Sequence, residues 1–282
     1  MLLRGDAFLR EARAEGRAVP AFVTYNLEQV QGVVAAGEAL DRPVMIIAGS
    51  SAFAYAGRST LARLALDAAA ASSVPVGVHL DHCRSVEEIE FCLDQGYSSV
   101  MFDGSHLPYD ENVATTARVV ESAHRVGAWV EAELVGIAGD EDVSTDAVAT
   151  AMTDPATAAQ FVDATGVDAL AVAVGNVHGF TSRAPRIDLE RLARIAERVA
   201  VPLVLHGASG LDDDVLARCV ASGVAKVNVN AELRRAYLDA FVAQPDALAA
   251  GDLVACLRYA RDAVAQSATR IIRALDHSAR GE

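Results

Sequence analysis

The sequence predicts a (β/α)8 barrel with a C-terminal helical extension. Three observations lead there. Strand-like and helix-like runs alternate strictly along the chain. The strand-like runs are nearly continuously apolar, the pattern of a parallel sheet covered by helices. Eight such units fit within 282 residues, which suits a closed barrel better than an open doubly wound sheet. A dinucleotide-binding sheet would carry G-x-G-x-x-G after its first strand, and Tyr25-Asn26-Leu27-Glu28 offers no glycine.

The opening stretch, MLLRGDAFLREARAEGRAVP, reads as an amphipathic helix start, charged throughout and without a signal-peptide core. Periodicity then places strands at 19–24, 43–48, 76–81, 98–102, 128–134, 169–174, 202–205 and 225–229. Helices are expected at 27–40, 59–71, 85–94, 111–126, 155–165, 188–199 and 212–221. Ser85, Asp154 (before Pro155) and Asp212 stand where N-caps belong, and Gly96, Gly127, Gly166 and Gly223 where helices stop. The longest non-periodic stretch, 135–152, follows the fifth strand. It holds Gly136, Gly139 and the acidic run Asp140-Glu141-Asp142, and reads as a mobile loop over the barrel mouth. The tail at 253–275 reads as one long helix packed outside the barrel or against a partner subunit. With no linker, repeat or low-complexity tract, the whole chain is expected to be one domain, barrel about 19–245 and tail helix about 252–277.

Lys and Arg number 24 against 38 Asp and Glu, a formal charge of −14. That balance argues against a nucleic-acid or anionic-membrane partner, though not against a small anionic substrate. No apolar run approaches the ~20 residues of a membrane span, so the expected address is the cytoplasm. Cys83, Cys92, Cys219 and Cys256 show no C-x-x-C spacing and are expected as reduced thiols, with Cys83 a packing residue.

Three strands end on histidine: His82 after the third, His178 just past the sixth, His206 after the seventh. They lie 96 and 28 residues apart (178−82, 206−178), so only a closed barrel brings them together. Catalytic zinc takes three such ligands and keeps one position open, so His82, His178 and His206 are expected to form one metal site. His79 reads as a barrel-interior side chain, and His106, His124 and His277 as surface or structural residues. Asp81 precedes a ligand; it either orients an imidazole or transfers a proton. Glu133, ending the fifth strand, faces the metal or orients a ligand. By themselves Asp140, Glu141 and Asp142 read as a solvated charge run. Gly207-Ala208-Ser209 after the seventh strand and Asn228-Val229-Asn230-Ala231 after the eighth supply small residues at a helix start, the usual phosphate cradle of such barrels. The only lysine, Lys226, lies within a strand and is poorly placed for a Schiff base.

These motifs resemble the class II, metal-dependent ketose-bisphosphate aldolases, including fructose- and tagatose-bisphosphate aldolases. The likeness runs through His79-Leu80-Asp81-His82, Ser98 to Ser105 with Leu107-Pro108, Glu131-Ala132-Glu133-Leu134, Thr153-Asp154-Pro155, Thr165 to Gly175, His178-Gly179, Pro202 to Gly207, Ser209-Gly210 and Lys226-Val227-Asn228-Val229. It implies zinc, or another divalent transition metal, on His82, His178 and His206, with Glu133 at an alternative metal position. It implies Asp81 as the group acting on the hydroxyl whose deprotonation starts carbon–carbon cleavage. Glu141, against its bland reading, becomes the group that protonates or deprotonates the enediolate carbon. Gly179, Ser182, Gly207, Ala208, Ser209, Asn228, Val229, Asn230, Ala231 and Ser50 form the implied substrate- and phosphate-binding set. A ketose or ketose phosphate and an aldehyde are the implied partners, a monovalent cation an optional cofactor, and a homodimer or homotetramer the implied assembly.

The sequence also departs from the family pattern. Val23 stands for an asparagine, Ser182 for a lysine near the phosphate, Ala208 for a glycine, Ala231 for a threonine, and Val135 and Ala138 for two lid glycines. Each change removes a donor or narrows the pocket, while the metal and proton-transfer groups remain. The expectation is retained aldol chemistry on an altered, non-phosphorylated or specialised substrate. Two rivals stand beside it. A zinc hydrolase or epimerase would want His-x-His at the first strand, which Ala21-Phe22-Val23-Thr24 lacks. A non-catalytic binding or regulatory barrel would purify without metal.

Overall fold

In a computed structural model the described residues are 1–139, 147–149, 151–181 and 185–276. Eight parallel strands close into a barrel: β1 Val19–Val23, β2 Val44–Ala48, β3 Val76–Cys83, β4 Ser99–Asp103, β5 Trp129–Glu133, β6 Ala169–Ala171, β7 Leu203–Leu205 and β8 Val224–Val229. Each strand neighbours its sequence neighbours, and β8 closes on β1. All eight expected strands are present. A ring of helices covers the outside: α1 Ala7–Ala14, α2 Leu27–Leu40, α3 Ser50–Ala56, α4 Arg58–Ala71, α5 Val86–Gln95, α6 Tyr109–Arg125, α7 Pro155–Thr165, α8 Leu189–Arg198, α9 Asp213–Ala221, α10 Ala231–Val242, α11 Pro245–Ala250 and α12 Leu253–Ala274.

Local chemistry explains the boundaries. Ser85 accepts from Glu88 N and Asp154 from Ala156 N and Thr157 N, satisfying amides that have no partner within the first helical turn. Asp212 holds the same position on α9 without a side-chain bond. Asn26 caps α2 through Gln29 N, while Gln29 Oε1 accepts from Tyr25 N. This reciprocal box fixes the chain as it leaves β1 at the barrel mouth. The expected helices omit α3 and α11, which are seven and six residues long, under two full turns, and α10, of which the sequence marks only the start. The tail helix packs along α2 and α10 on the barrel exterior. Among the described residues no helix is long and apolar enough to cross a membrane.

Strand parity divides the core in two. Outward residues such as Phe22, Ile46, Val78, Val100, Val130, Leu170 and Leu205 meet the helices. Inward residues Val19, Ala21, Met45, Ile47, Met101, Trp129, Ala169 and Val204 join Phe8 and Leu9 of α1, which plugs the barrel floor. Above that apolar floor the same inward parity delivers His79, Asp81, Asp103, Glu131 and Glu133, all buried. A register irregularity between Val224 and Lys226 in β8 sets Lys226 and Asn228 among them.

Candidate metal centre

Strand β3 is the longest of the barrel and runs past its expected end. A register shift against β4 follows Leu80, and His82 takes φ +44°, a left-handed conformation that a non-glycine residue adopts at a cost. The bend coexists with a His82 ring that meets two others edge-on, its centroid 4.5 Å from that of His206 and 4.9 Å from that of His178. One nitrogen from each of the three rings lies within 4.8 Å of the other two. The sequence-predicted triad therefore converges, with His206 fully buried.

Backbone devices hold the other two histidines. Asn176 Nδ2 donates to His206 O at 2.8 Å, and its Oδ1 accepts from Val174 N, tying the β6 exit to the β7 exit. Gly207 has φ +57°, and a Cβ there would meet the Val177 carbonyl at 2.5 Å, so only glycine permits this approach. Ala138–Gly139 pairs with Val177–His178 in a short rung, seating the segment after β5 beside the second histidine.

Beneath the imidazoles runs a buried polar chain that sequence reading missed. His206 Nε2 lies 2.6 Å from Glu131 Oε1, and Lys226 Nζ donates to Glu131 Oε2 at 2.8 Å and to Asn228 Oδ1 at 2.6 Å. Asn228 Nδ2 in turn donates to Asp81 Oδ1 at 2.9 Å. Burial opposes charge on Glu131, but the Lys226 ammonium and the His206 bond outweigh it and hold the carboxyl well below the usual range. An ionised Glu131 can only accept, so His206 Nε2 keeps its proton and donates it in this hydrogen bond, which leaves Nδ1 with a lone pair. That lone pair faces His82 Nε2 at 2.7 Å. Three imidazole nitrogens gathered around one point, one oriented by a carboxylate behind it, form a donor set that fits a divalent transition metal.

His79 lies below, as an interior side chain: Nδ1 is 2.8 Å from Ser99 Oγ and the ring stacks on Trp129. Burial, then the Lys226 charge, pushes its pKa well down. Glu133 accepts from Ile137 N through Oε1, while Oε2 lies 3.8 Å from His82 Nδ1. Burial raises its pKa against the pull of His82.

These groups open into a cavity of about 500 Å³, within the range of small-molecule sites, lined among others by Asp81, His82, Glu133, His178 and Asn230. Ser50 lines it too, with its hydroxyl donated to Glu88. A larger outer groove between α2, α9 and α12 is lined by alanines and polar or charged residues in equal number, away from the histidines. Of the expected cradle, Gly179, Gly207, Ala208, Ser209, Asn228, Val229, Asn230 and Ala231 are all described, and Asn230 Nδ2 donates to Tyr25 Oη. Ser209 Oγ and Gly210 N both donate to the Glu232 carboxylate, at 2.7 and 2.9 Å, a contact the sequence did not signal. Glu141 and Ser182 lie outside the described residues, as do Asp140, Asp142 and His277.

Fold and site together define a barrel enzyme with a three-histidine site beside a buried aspartate. Residues 4–280 match the family model for class II fructose-bisphosphate aldolase, and the chain belongs to that family. The YdjI aldolase of Escherichia coli K12 is 32% identical, superposes with a TM-score of 0.86, and each chain covers 100% of the other. A putative fructose-1,6-bisphosphate aldolase from Coccidioides immitis is 35% identical, with a TM-score of 0.86 and coverage of 98% and 97%. Fructose-bisphosphate aldolase from Campylobacter jejuni, 22% identical over 98% of this chain and 95% of its own, shares the fold with a TM-score of 0.81. The chain is thus an aldolase of a generally metal-dependent family.

Proposed function

We propose that this aldolase holds Zn²⁺ on His82, His178 and His206 and catalyses reversible aldol cleavage of a ketose or ketose phosphate, releasing dihydroxyacetone phosphate or a related ketone. The observation that carries the reading is the convergence of three imidazoles from β3 and the β6 and β7 exits beside the Asp81 carboxylate. A divalent cation held there by His82, His178 and His206 would supply Lewis-acid polarisation to the ketone donor and offset the negative charge that cleavage leaves on it.

The protein's own groups do the rest. Asp81 accepts the proton of the hydroxyl on the carbon that becomes the aldehyde, and returns it in the condensation direction. Its carboxylate is held by Asn228 Nδ2, leaving its second oxygen for the substrate. Glu141 moves the proton at the donor carbon, as the family resemblance implies. Glu133 Oε2, facing His82, is the alternative metal position. The family resemblance assigns Gly179, Gly207, Ala208, Asn228, Val229, Asn230 and Ala231 to the donor end, with Ser182 and, once released from Glu232, Ser209 as hydroxyl donors and Ser50 toward the cleft.

A donor without phosphate is the second reading. One observation favours it: Ser209 Oγ and Gly210 N already serve the Glu232 carboxylate, and Ala231 offers no hydroxyl. The test is a retro-aldol screen of metal-loaded enzyme across phosphorylated and free ketoses, with Asp81→Ala as control. The variant should lose on the order of 10²-fold or more in kcat. Cleavage undiminished in the variant, or none with any ketose, sinks the reading. Micromolar binding of dihydroxyacetone phosphate removes the second reading.

A further inference from the structure

The half of the mouth that lies across the metal centre from the donor cradle carries a single fixed cation. Arg84 follows the metal ligand His82 by two residues, lines the cavity, and has a side chain 62% exposed. Its Nε donates to Asp103 Oδ2 at 3.0 Å. Asp103 is buried, and its other oxygen accepts both Ser105 N at 3.1 Å and Ser105 Oγ at 2.6 Å. The carboxylate is therefore anchored at both oxygens, and it anchors the guanidinium in turn. Arg84's terminal nitrogens make no hydrogen bond among the described residues, so its Nη1–Nη2 edge is available to a ligand.

Position and charge say what that ligand is. The donor cradle comes from the exits of β6, β7 and β8. Ser51, Arg84 and Ser105, from the exits of β2 to β4, line the cavity that opens from His82 and Asp81. A substrate spanning the metal places its aldehyde-forming half on this side. Among the described lining residues Arg84 is the only Lys or Arg, while Asp81, Asp103 and Glu133 line the same space. One guanidinium, already shared with Asp103, balances a monoanion among these carboxyl groups far better than a dianionic phosphate. A planar carboxylate also matches the two parallel N–H bonds that the free edge presents. We propose that Arg84 is the specificity-determining residue for the aldehyde half, and that this half ends in a carboxylate. The inference rests on the aldolase reading above.

The test uses metal-loaded full-length enzyme and a matched set of four-carbon acceptors: erythrose, erythrose 4-phosphate and 2,3-dihydroxy-4-oxobutanoate. Each is condensed with dihydroxyacetone phosphate or dihydroxyacetone, and kcat/KM is reported as a ratio to erythrose. Exchange of donor C–H for deuterium in D2O, without any acceptor, reports enolisation separately. Wild type should favour the carboxylate at least ten-fold. Arg84→Gln should lower that ratio about 10- to 100-fold, the effect of losing one charge-assisted pair, and Arg84→Lys should restore part of it. A wild-type preference for the phosphate or for erythrose overturns the proposal. So does an Arg84→Gln enzyme whose two rates fall together, leaving the ratio intact. Donor exchange with no carboxylate preference defeats this inference alone, whereas no exchange and no condensation defeats the aldolase reading with it.

Discussion

Replacing Lys226 with methionine tests the buried chain beneath the imidazoles. Glu131 and Lys226 are both fully buried, with Nζ–Oε2 at 2.8 Å, and Glu131 also serves His206 at 2.6 Å. Removing the ammonium leaves a carboxylate in the barrel interior with one partner. The cost of orphaning such a charge is about 3–5 kcal/mol, against a total stability of ~5–15 kcal/mol for a folded domain. The variant therefore folds, but with a denaturation midpoint well below wild type in metal-stripped protein. Asn228 also loses its donor, so Asp81 is held less firmly, and Glu131, released on its other oxygen, orients His206 less firmly. Metal affinity, read by competition with a chromophoric chelator, should fall about 10–100-fold. The double variant Lys226→Met with Glu131→Gln removes both charges, and should be more stable than the sum of the single losses by about 1–3 kcal/mol. A cost below about 1 kcal/mol for Lys226→Met, or strict additivity in the cycle, refutes the reasoning.

Zinc added to stripped protein at a hundred times its dissociation constant should stabilise it by about 2.7 kcal/mol; His206→Ala should abolish the shift in melting temperature, and a retained shift places the metal elsewhere. His79 has its folded pKa pushed below the ordinary ~6.5 by burial. The unfolded chain therefore binds the extra proton first, and the His79 contribution to stability is full above pH ~6.5 and falls as pH drops below it, by up to about 1.4 kcal/mol per unit. Urea midpoints of stripped protein between pH 7.5 and 5.5 should slope less in His79→Asn, and equal slopes count against the assignment. Gly207→Ala should cost about 1–3 kcal/mol and weaken metal binding, since the Val177–His178 backbone must yield; unchanged affinity would show that the loop approach is not what seats His178.

The barrel was legible because its signals are local. A nearly continuous apolar run in each strand, a capping residue before a helix and a glycine after it act over a few positions, and the eight strands fall where those signals put them. The histidine triad was legible at one remove, since three strand ends in a closed barrel must face one another. What lay hidden depends on stagger across the barrel. Lys226 and Glu131 are 95 positions apart, and Asn228 and Asp81 are 147 apart. Nothing within either strand says that they meet. The family motif drew attention to Glu133, yet Glu131, on the same face two residues earlier, is the one bonded to His206. Arg84 escaped notice for the opposite reason: it sits past the end of a strand, where parity no longer predicts direction, and the His82 bend decides where it goes.

The polar pillar inside the barrel also explains why the chain's one lysine is where it is. An interior that delivers Asp81, Asp103, Glu131 and Glu133 by strand parity gathers four buried carboxyl groups, of which Glu131 lies deepest, away from the cavity. One cation placed low, against Glu131, lets that carboxylate stay ionised while the upper carboxyl groups face the cleft and the three histidines. An arginine would bring a wider fork and more donors than Glu131 and Asn228 can accept, whereas the ammonium's bonds to those two point along the chain that ends on His206 and Asp81. Lys226→Arg should therefore keep the charge and still lose metal affinity. Full affinity in that variant would mean that Lys226 acts as a counter-charge alone and not as a positioning group.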